Sequence, residues 1–202
     1  MNVVIAASKF FGAQVVRAFH GAGFELLAVT SPRSSCGPAG GPPARDRVQE
    51  VAAELGITWW PTLDVPAIDE ADLLITAYYQ RIIPAPVLEK IPLAIGYHPS
   101  LLPLHRGPDA IRWSLAAGER ITGGSVYRLT STVDGGPLLG QQAVTIQPGD
   151  TPEVLWRRDL APLGVQMLLT AADQIRSGSA VFTPQDSAAA TYESWFPRGR
   201  PS

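Results

Sequence analysis

Two residues of this chain stand in settings suited to chemistry. They are His98, in Gly96-Tyr97-His98-Pro99-Ser100-Leu101-Leu102-Pro103, and Asp134, in Val133-Asp134-Gly135-Gly136-Pro137. A carboxylate beside an imidazole orients the ring and favours its charged form, which suits the pair to donate to a developing oxyanion and to move a proton. The two are distant in sequence, so only the fold can bring them together. Each has a plain alternative: a lone histidine often caps a loop, and Asp before Gly-Gly is a common turn.

The surrounding pattern says how such residues would be placed. Leu93-Ala94-Ile95 is an apolar run that stops at Gly96 and Tyr97, so a buried strand is expected to end where His98 opens a turn. Ligands bind at the carboxyl edge of open α/β sheets, where loops converge over a rigid sheet. Pro99 and Pro103 restrict the backbone on either side of Ser-Leu-Leu, and Arg106-Gly107 precedes another helix. Strands over Gly123–Leu129 and Pro137–Ile146 flank the Asp134 loop.

The opening reads as a βαβ unit. Val3–Ala7 is a strand buried on both faces, a helix with Phe11, Val15, Val16 and Phe19 at helical spacing ends at Gly21, and Phe24–Thr30 is the next strand. A glycine fingerprint for dinucleotides is absent after the first strand, where Ala6-Ala7-Ser8-Lys9 stands, so a nicotinamide-binding reading loses its main support. Ser31–Pro43 is rich in breakers and reads as a surface loop or a lid. Arg45–Leu55 is a helix, and Ile57–Trp60 and Asp72–Ala77 are strands. Tyr78-Tyr79-Gln80-Arg81-Ile82 follows as a turn whose aromatics line an apolar slot or simply pack in the core. A helix is expected over Pro108–Ala117. Thr151-Pro152-Glu153 is a helix start running on to Ile175, with Pro162 forcing a kink or break. After Ser177 the chain is polar and reads as a tail that packs loosely or covers an edge.

The composition narrows the function classes. The 202 residues carry 16 basic and 18 acidic side chains with no basic run, so no electrostatic footprint for nucleic acid is visible. A single cysteine, Cys36, rules out an intrachain disulfide framework and fits a loop thiol in a reducing compartment. The start, MNVVIAASKF, lacks the pattern of a secretory signal, and no run approaches the roughly 20 apolar residues of a membrane span, so a cytoplasmic location is expected. His20, His98 and His105 have no Cys or His at metal-ligand spacing beyond the weak His98/His105 pair, and no metal is expected. Nothing in the sequence sets the oligomeric state.

HPSLLPxxRG, spanning His98 to Gly107, resembles the signature of the enzymes that use 10-formyltetrahydrofolate. That family includes glycinamide ribonucleotide formyltransferase, methionyl-tRNA formyltransferase and the hydrolase domain of 10-formyltetrahydrofolate dehydrogenase. Ser131–Leu139 resembles the family's aspartate loop. Leu160, Pro162, Gly164 and the string Ala190-Thr191-Tyr192-Glu193 are similar to the dehydrogenase's hydrolase domain. The resemblance covers roughly Met1 to Glu193.

It implies an α/β, Rossmann-like fold, a mostly parallel open sheet with helices on both faces, as a catalytic domain over residues 1–180 followed by a tail over 181–202. His98 and Asp134 would be catalytic. Tyr78, Tyr79, Gln80 and Ile82, the last two through backbone groups that hydrogen-bond the pterin, with Thr130 and Val133 beside the aspartate loop, would bind the co-substrate 10-formyltetrahydrofolate. Ser100 and Arg106 would bind substrate, Arg106 by anchoring an acidic group of the acceptor or of the folate tail, unless it is simply a surface arginine. Many members place an asparagine two residues before the histidine, where its amide polarises the formyl oxygen; here that position is Gly96. The dehydrogenase's hydrolase domain also lacks it and carries an aliphatic residue before Tyr-His. The glycine-rich phosphate turn of the ribonucleotide enzyme is missing as well, and no room is seen after Ser177 for the tRNA enzyme's additional domain. The implied activity is formyl transfer to a small amine, with transfer to water as the close alternative and a non-catalytic folate-binding module as the third. The acceptor pocket would fall to loops 8–13, 31–43 and 104–110.

Overall fold

A computed structural model describes residues 1–31, 46–64, 66–79 and 81–197. Among them the contacts divide the chain into two compact units, Met1–Ile95 and Gly96–Ser202.

The first unit alternates strands and helices: β1 (Asn2–Ala7), α1 (Lys9–Gly21), β2 (Glu25–Thr30), α2 (Arg47–Leu55), β3 (Trp59–Trp60), β4 (Leu73–Ala77) and α3 (Ala85–Lys90), with a 3₁₀ turn over Pro66–Glu70. Its strands lie in the order β3-β2-β1-β4, and the β1–β2, β1–β4 and β2–β3 pairs are parallel. Val3, Val4, Ile5, Leu73, Leu74 and Ile75 are all fully buried. That is the continuous apolar reading expected of parallel strands covered on both faces. Gly12 of α1 lets the helix sit against β1, because a Cβ there would fall 2.7 Å from that of Ala7. Asp46 caps α2 by accepting from the N–H groups of Val48 and Gln49, and left-handed Gly56 ends it. Ser8 holds the cap position of α1 without a side-chain bond to it. Cys36 and the loop after Ser31 fall outside the described residues. The sequence pattern did not announce α3 or the 3₁₀ turn.

Strand β5 (Leu93–His98) begins in the first unit and ends in the second, which continues with α4 (Ala110–Ala116), β6 (Ile121–Arg128), β7 (Leu138–Thr145), α5 (Pro152–Leu155) and α6 (Ala161–Arg176). Its strands lie in the order β5-β6-β7, with β6 and β7 antiparallel. The fold is therefore α/β with a mostly parallel sheet. The strand expected to stop before His98 includes it, so the imidazole is the last strand residue rather than the first of the turn.

The helix expected from Thr151 to Ile175 is interrupted just before Pro162, and the break takes the form of a π turn. A π turn over Trp156–Leu160 joins α5 to α6, and the N–H of Ala161 reaches back to the carbonyl of Trp156. Widening the turn accommodates a residue that has no N–H to give and a ring that crowds the preceding turn. Tyr97 uses the same place: its hydroxyl donates to the Leu160 carbonyl at 2.8 Å. The ring lies between two glycines, since a Cβ on Gly124 or Gly164 would stand 2.5 or 2.6 Å from its atoms.

The segment after Ser177 covers an edge. Thr183 bridges Leu138, Tyr192 bridges Arg106, and Phe196 is buried with its ring 4.9 Å from that of Trp113.

Candidate active site

The turn after His98 is fastened to β6. Ser125 donates its hydroxyl to the Ser100 carbonyl at 2.7 Å and accepts from the N–H of Leu102 at 3.0 Å. Gln141 of β7 donates to both the Leu102 carbonyl and the Ser125 hydroxyl oxygen. A segment bearing two prolines, which has few N–H groups of its own, thus gains its rigidity from side chains on neighbouring strands.

His98 is 7% exposed. Its Nε2 lies 2.7 Å from the His105 carbonyl and its Nδ1 3.5 Å from Asp134 Oδ2. The second separation is too long for a good hydrogen bond and suits a shared water or substrate atom. Asp134 has left-handed φ, +49°, at the head of the Gly-Gly turn. Its Oδ2 accepts from the N–H of Gly107 at 2.8 Å and its Oδ1 from the Tyr127 hydroxyl at 2.5 Å. Gly136 keeps the turn closed, for a Cβ there would lie 1.8 Å from the Arg128 carbonyl oxygen. Burial, and after it the charge of Asp134, push the Tyr127 phenol well above its ordinary range. Tyr127 therefore stays a donor.

Arg106 and Ser100, expected to bind substrate, both make internal hydrogen bonds. Ser100 is fully buried and donates to the Leu104 carbonyl at 2.7 Å. Arg106, 8% exposed, places Nε and Nη2 3.1 and 2.7 Å from Gln185 Oε1. Gln185 in turn donates to the carbonyls of Asp134 and Gly136. Thr130 and Val133 are exposed on the same loop.

Tyr78 and Tyr79 follow β4 within the first unit, where the strand order reverses direction beside β1. Tyr78 has left-handed φ, and Lys9, also left-handed, places its Nζ 3.3 Å from the Tyr78 hydroxyl and 4.7 Å from the ring centroid. This is a topological switch point, the place in an open α/β sheet where ligands bind. Ile82 is 85% exposed, and Gln80 falls outside the described residues.

Sequence reasoning missed Tyr127, Gly107 and Gln185 as partners of Asp134. Tyr127 carried a faint signal as a polar-tipped aromatic in an otherwise small and apolar strand; Gln185 carried none. Among the described residues no group of three His, Cys, Asp or Glu side chains is arranged to hold a metal ion, and no helix is long and apolar enough to cross a membrane.

Comparison with known proteins decides the family. A family model described as formyl transferase matches residues 64–171, more than half of the chain. The chain belongs to the formyl transferase family. It is 39% identical over 124 residues to mitochondrial 10-formyltetrahydrofolate dehydrogenase of Mus musculus, a match covering 61% of this chain and 13% of that protein. It is 33% identical over 207 residues to methionyl-tRNA formyltransferase of Aromatoleum aromaticum, covering 95% of this chain and 63% of that protein. The chain thus spans less than two thirds of the length of both relatives. An N-formyltransferase from Helicobacter canadensis, solved with folinic acid and dTDP-3-aminofucose, shares the fold with a TM-score of 0.77 at 17% identity, over 96% of this chain and 70% of that one.

Proposed function

We propose that this chain transfers the formyl group of 10-formyltetrahydrofolate to a small amine. The observation that carries the reading is the 3.5 Å approach of His98 Nδ1 to Asp134 Oδ2 in a chain of this family. The folate compounds named for two of its relatives support the co-substrate, and the amino sugar named for one supports an amine acceptor.

Attack of the amine nitrogen on the formyl carbon forms the new C–N bond and places negative charge on the carbonyl oxygen. His98, protonated on Nδ1, donates to that oxygen, and the nearby Asp134 charge stabilises the imidazolium. The proton lost by the amine passes through the His98–Asp134 pair to N10 as the C–N10 bond breaks. Tetrahydrofolate and the formylated amine result. Gln80 and Ile82 are proposed to read the amide-like edges of the pterin with main-chain groups, and Tyr78, Tyr79, Thr130 and Val133 are proposed as further co-substrate contacts. Arg106 is proposed to hold the aspartate loop in place.

Gly96 favours a second reading. Without a side-chain amide at that position one oxyanion donor is missing, a loss worth on the order of 10²–10³ in rate where the donor matters. The shared lack of that asparagine with the dehydrogenase's hydrolase domain favours water as the acceptor.

Turnover of 10-formyltetrahydrofolate with and without a panel of small amines tests both. A formylated amine supports transfer, formate without amine supports hydrolysis, and neither product removes the catalytic reading.

A further inference from the structure

Next to the His98–Asp134 pair lies a residue that the proposed mechanism does not use. His105 is 7% exposed and has left-handed φ, +55°, which a residue with a β-carbon seldom adopts. Its carbonyl oxygen accepts from His98 Nε2 at 2.7 Å, and its N–H donates to Thr191 Oγ1 at 2.7 Å. The ring is held between two carboxylates. Nε2 is 2.8 Å from Glu119 Oε1, and Nδ1 is 3.3 Å from Glu193 Oε1, near enough for attraction although not aligned as a hydrogen bond. Glu119 follows α4, whereas Glu193 belongs to the C-terminal segment. That segment is laced to the same loop: Arg106 N–H donates to the Thr191 carbonyl at 3.1 Å, and Glu193 N–H to the Arg106 carbonyl at 2.8 Å. Gly107 completes the fit, since a Cβ there would lie 2.4 Å from the Glu193 carbonyl oxygen.

We propose that His105 is a positioning residue: Glu119 and Glu193 grip its ring so that its carbonyl stays aimed at His98 Nε2 and fixes the His98 tautomer. A carbonyl oxygen can only accept. At 2.7 Å it requires the proton on Nε2, because an unprotonated Nε2 would face it lone pair to lone pair. Nδ1, on the Asp134 side, is then the only ring nitrogen whose proton comes and goes. The tautomer is thus set at one nitrogen by a partner of the other. The inference rests on the formyl-transfer reading for what Nδ1 does, and on geometry alone for which nitrogen carries the fixed proton.

The test is ¹⁵N–¹H long-range correlation spectroscopy of the full chain labelled at histidine, with His98 assigned by its loss in His98→Gln and read at the alkaline plateau of its titration. The expected result is a single Nε2–H pattern for His98. In Glu119→Gln/Glu193→Gln that pattern gives way to a mixture of tautomers, and kcat falls about tenfold with KM for 10-formyltetrahydrofolate within about twofold. His105→Asn, which keeps a carbonyl and tolerates left-handed φ but removes the ring, behaves the same way. Restoring Glu193 alone recovers part of the Nε2–H signal. An Nδ1–H pattern in the unaltered protein overturns the proposal. So does a folded His105→Asn protein with the His98 signal and the pH profile of kcat both unchanged. The Nε2–H pattern without any turnover leaves the positioning geometry standing and removes the formyl-transfer reading instead.

Discussion

The Tyr127 hydroxyl donates to Asp134 Oδ1 at 2.5 Å, so a buried phenol on β6 gives its one proton to a loop carboxylate. The bond helps to hold a little-exposed carboxylate beside His98.

That bond has a pH signature. Burial first, then Asp134, hold the Tyr127 phenol well above an ordinary tyrosine, and burial alone does the same for Tyr97. A raised folded pKa leaves stability intact below the unfolded value, about 10, and removes it as pH rises toward the folded value. The unfolded chain loses each proton first, so stability falls by up to about 1.4 kcal/mol per pH unit per tyrosine above pH 10. Urea midpoints between pH 9 and 11 should fall less steeply in Tyr127→Phe than in the parent. Parallel slopes would show that the phenol ionises as it does in the unfolded chain.

His98 and Asp134 should act as one unit. Each of His98→Ala and Asp134→Asn is expected to lower kcat with 10-formyltetrahydrofolate by about 10²–10⁴. The double variant should be little worse than the more damaging single one, because residues that share a proton path are strongly non-additive. Independent, multiplying losses in a double-mutant cycle would dissolve the pair.

The slot that holds Tyr97 gives a stability prediction. Gly164→Ala drives a methyl to 2.6 Å from the Tyr97 ring and should destabilise by about 1–3 kcal/mol, the usual cost of overpacking. Tyr97→Leu removes the ring atoms that would be struck, so adding it to Gly164→Ala should cost less than the two single changes summed. Chemical denaturation of the four proteins measures this; strict additivity would mean that the helix simply moves aside.

His98 and Asp134 were legible in the sequence because each sits in a long, literal motif, and the buried strands because parallel sheets write continuous apolar runs such as Val3–Ala7 and Leu73–Ala77. What holds the pair was not. Gly107 and Gln185 reach Asp134 across 27 and 51 residues, a range that no local pattern encodes, and Tyr127, though only seven residues away, sits on the neighbouring strand β6. The internal partners of Ser100 and Arg106 were equally hidden. Their polar ends suggested a ligand, whereas a proline-bearing loop short of its own N–H groups consumes such side chains internally. Pro162 announces a break in the helix, but not that a π turn makes it or that the Tyr97 hydroxyl donates to the Leu160 carbonyl there.

Gln185 offers the sharpest check on that internal wiring. Its Nε2 donates to the carbonyls of Asp134 and Gly136 at 2.9 and 2.6 Å, and its Oε1 takes two N–H groups of Arg106. Gln185→Ala strips partners from a guanidinium that is 8% exposed and from two carbonyls of the aspartate loop. Leaving such groups unsatisfied costs about 1–3 kcal/mol each at most, and partial relaxation with water should hold the total near 2–3 kcal/mol, or roughly 5–10 °C in Tm. Gln185→Glu keeps an acceptor for Arg106 but turns carboxylate oxygen toward two carbonyls, so it should recover stability only in part. If the loop is what Gln185 serves, both variants lower kcat more than they raise KM. A stable Gln185→Ala protein with unchanged kcat would mean that the Asp134 turn holds its shape through Gly107, Tyr127 and Gly136 alone.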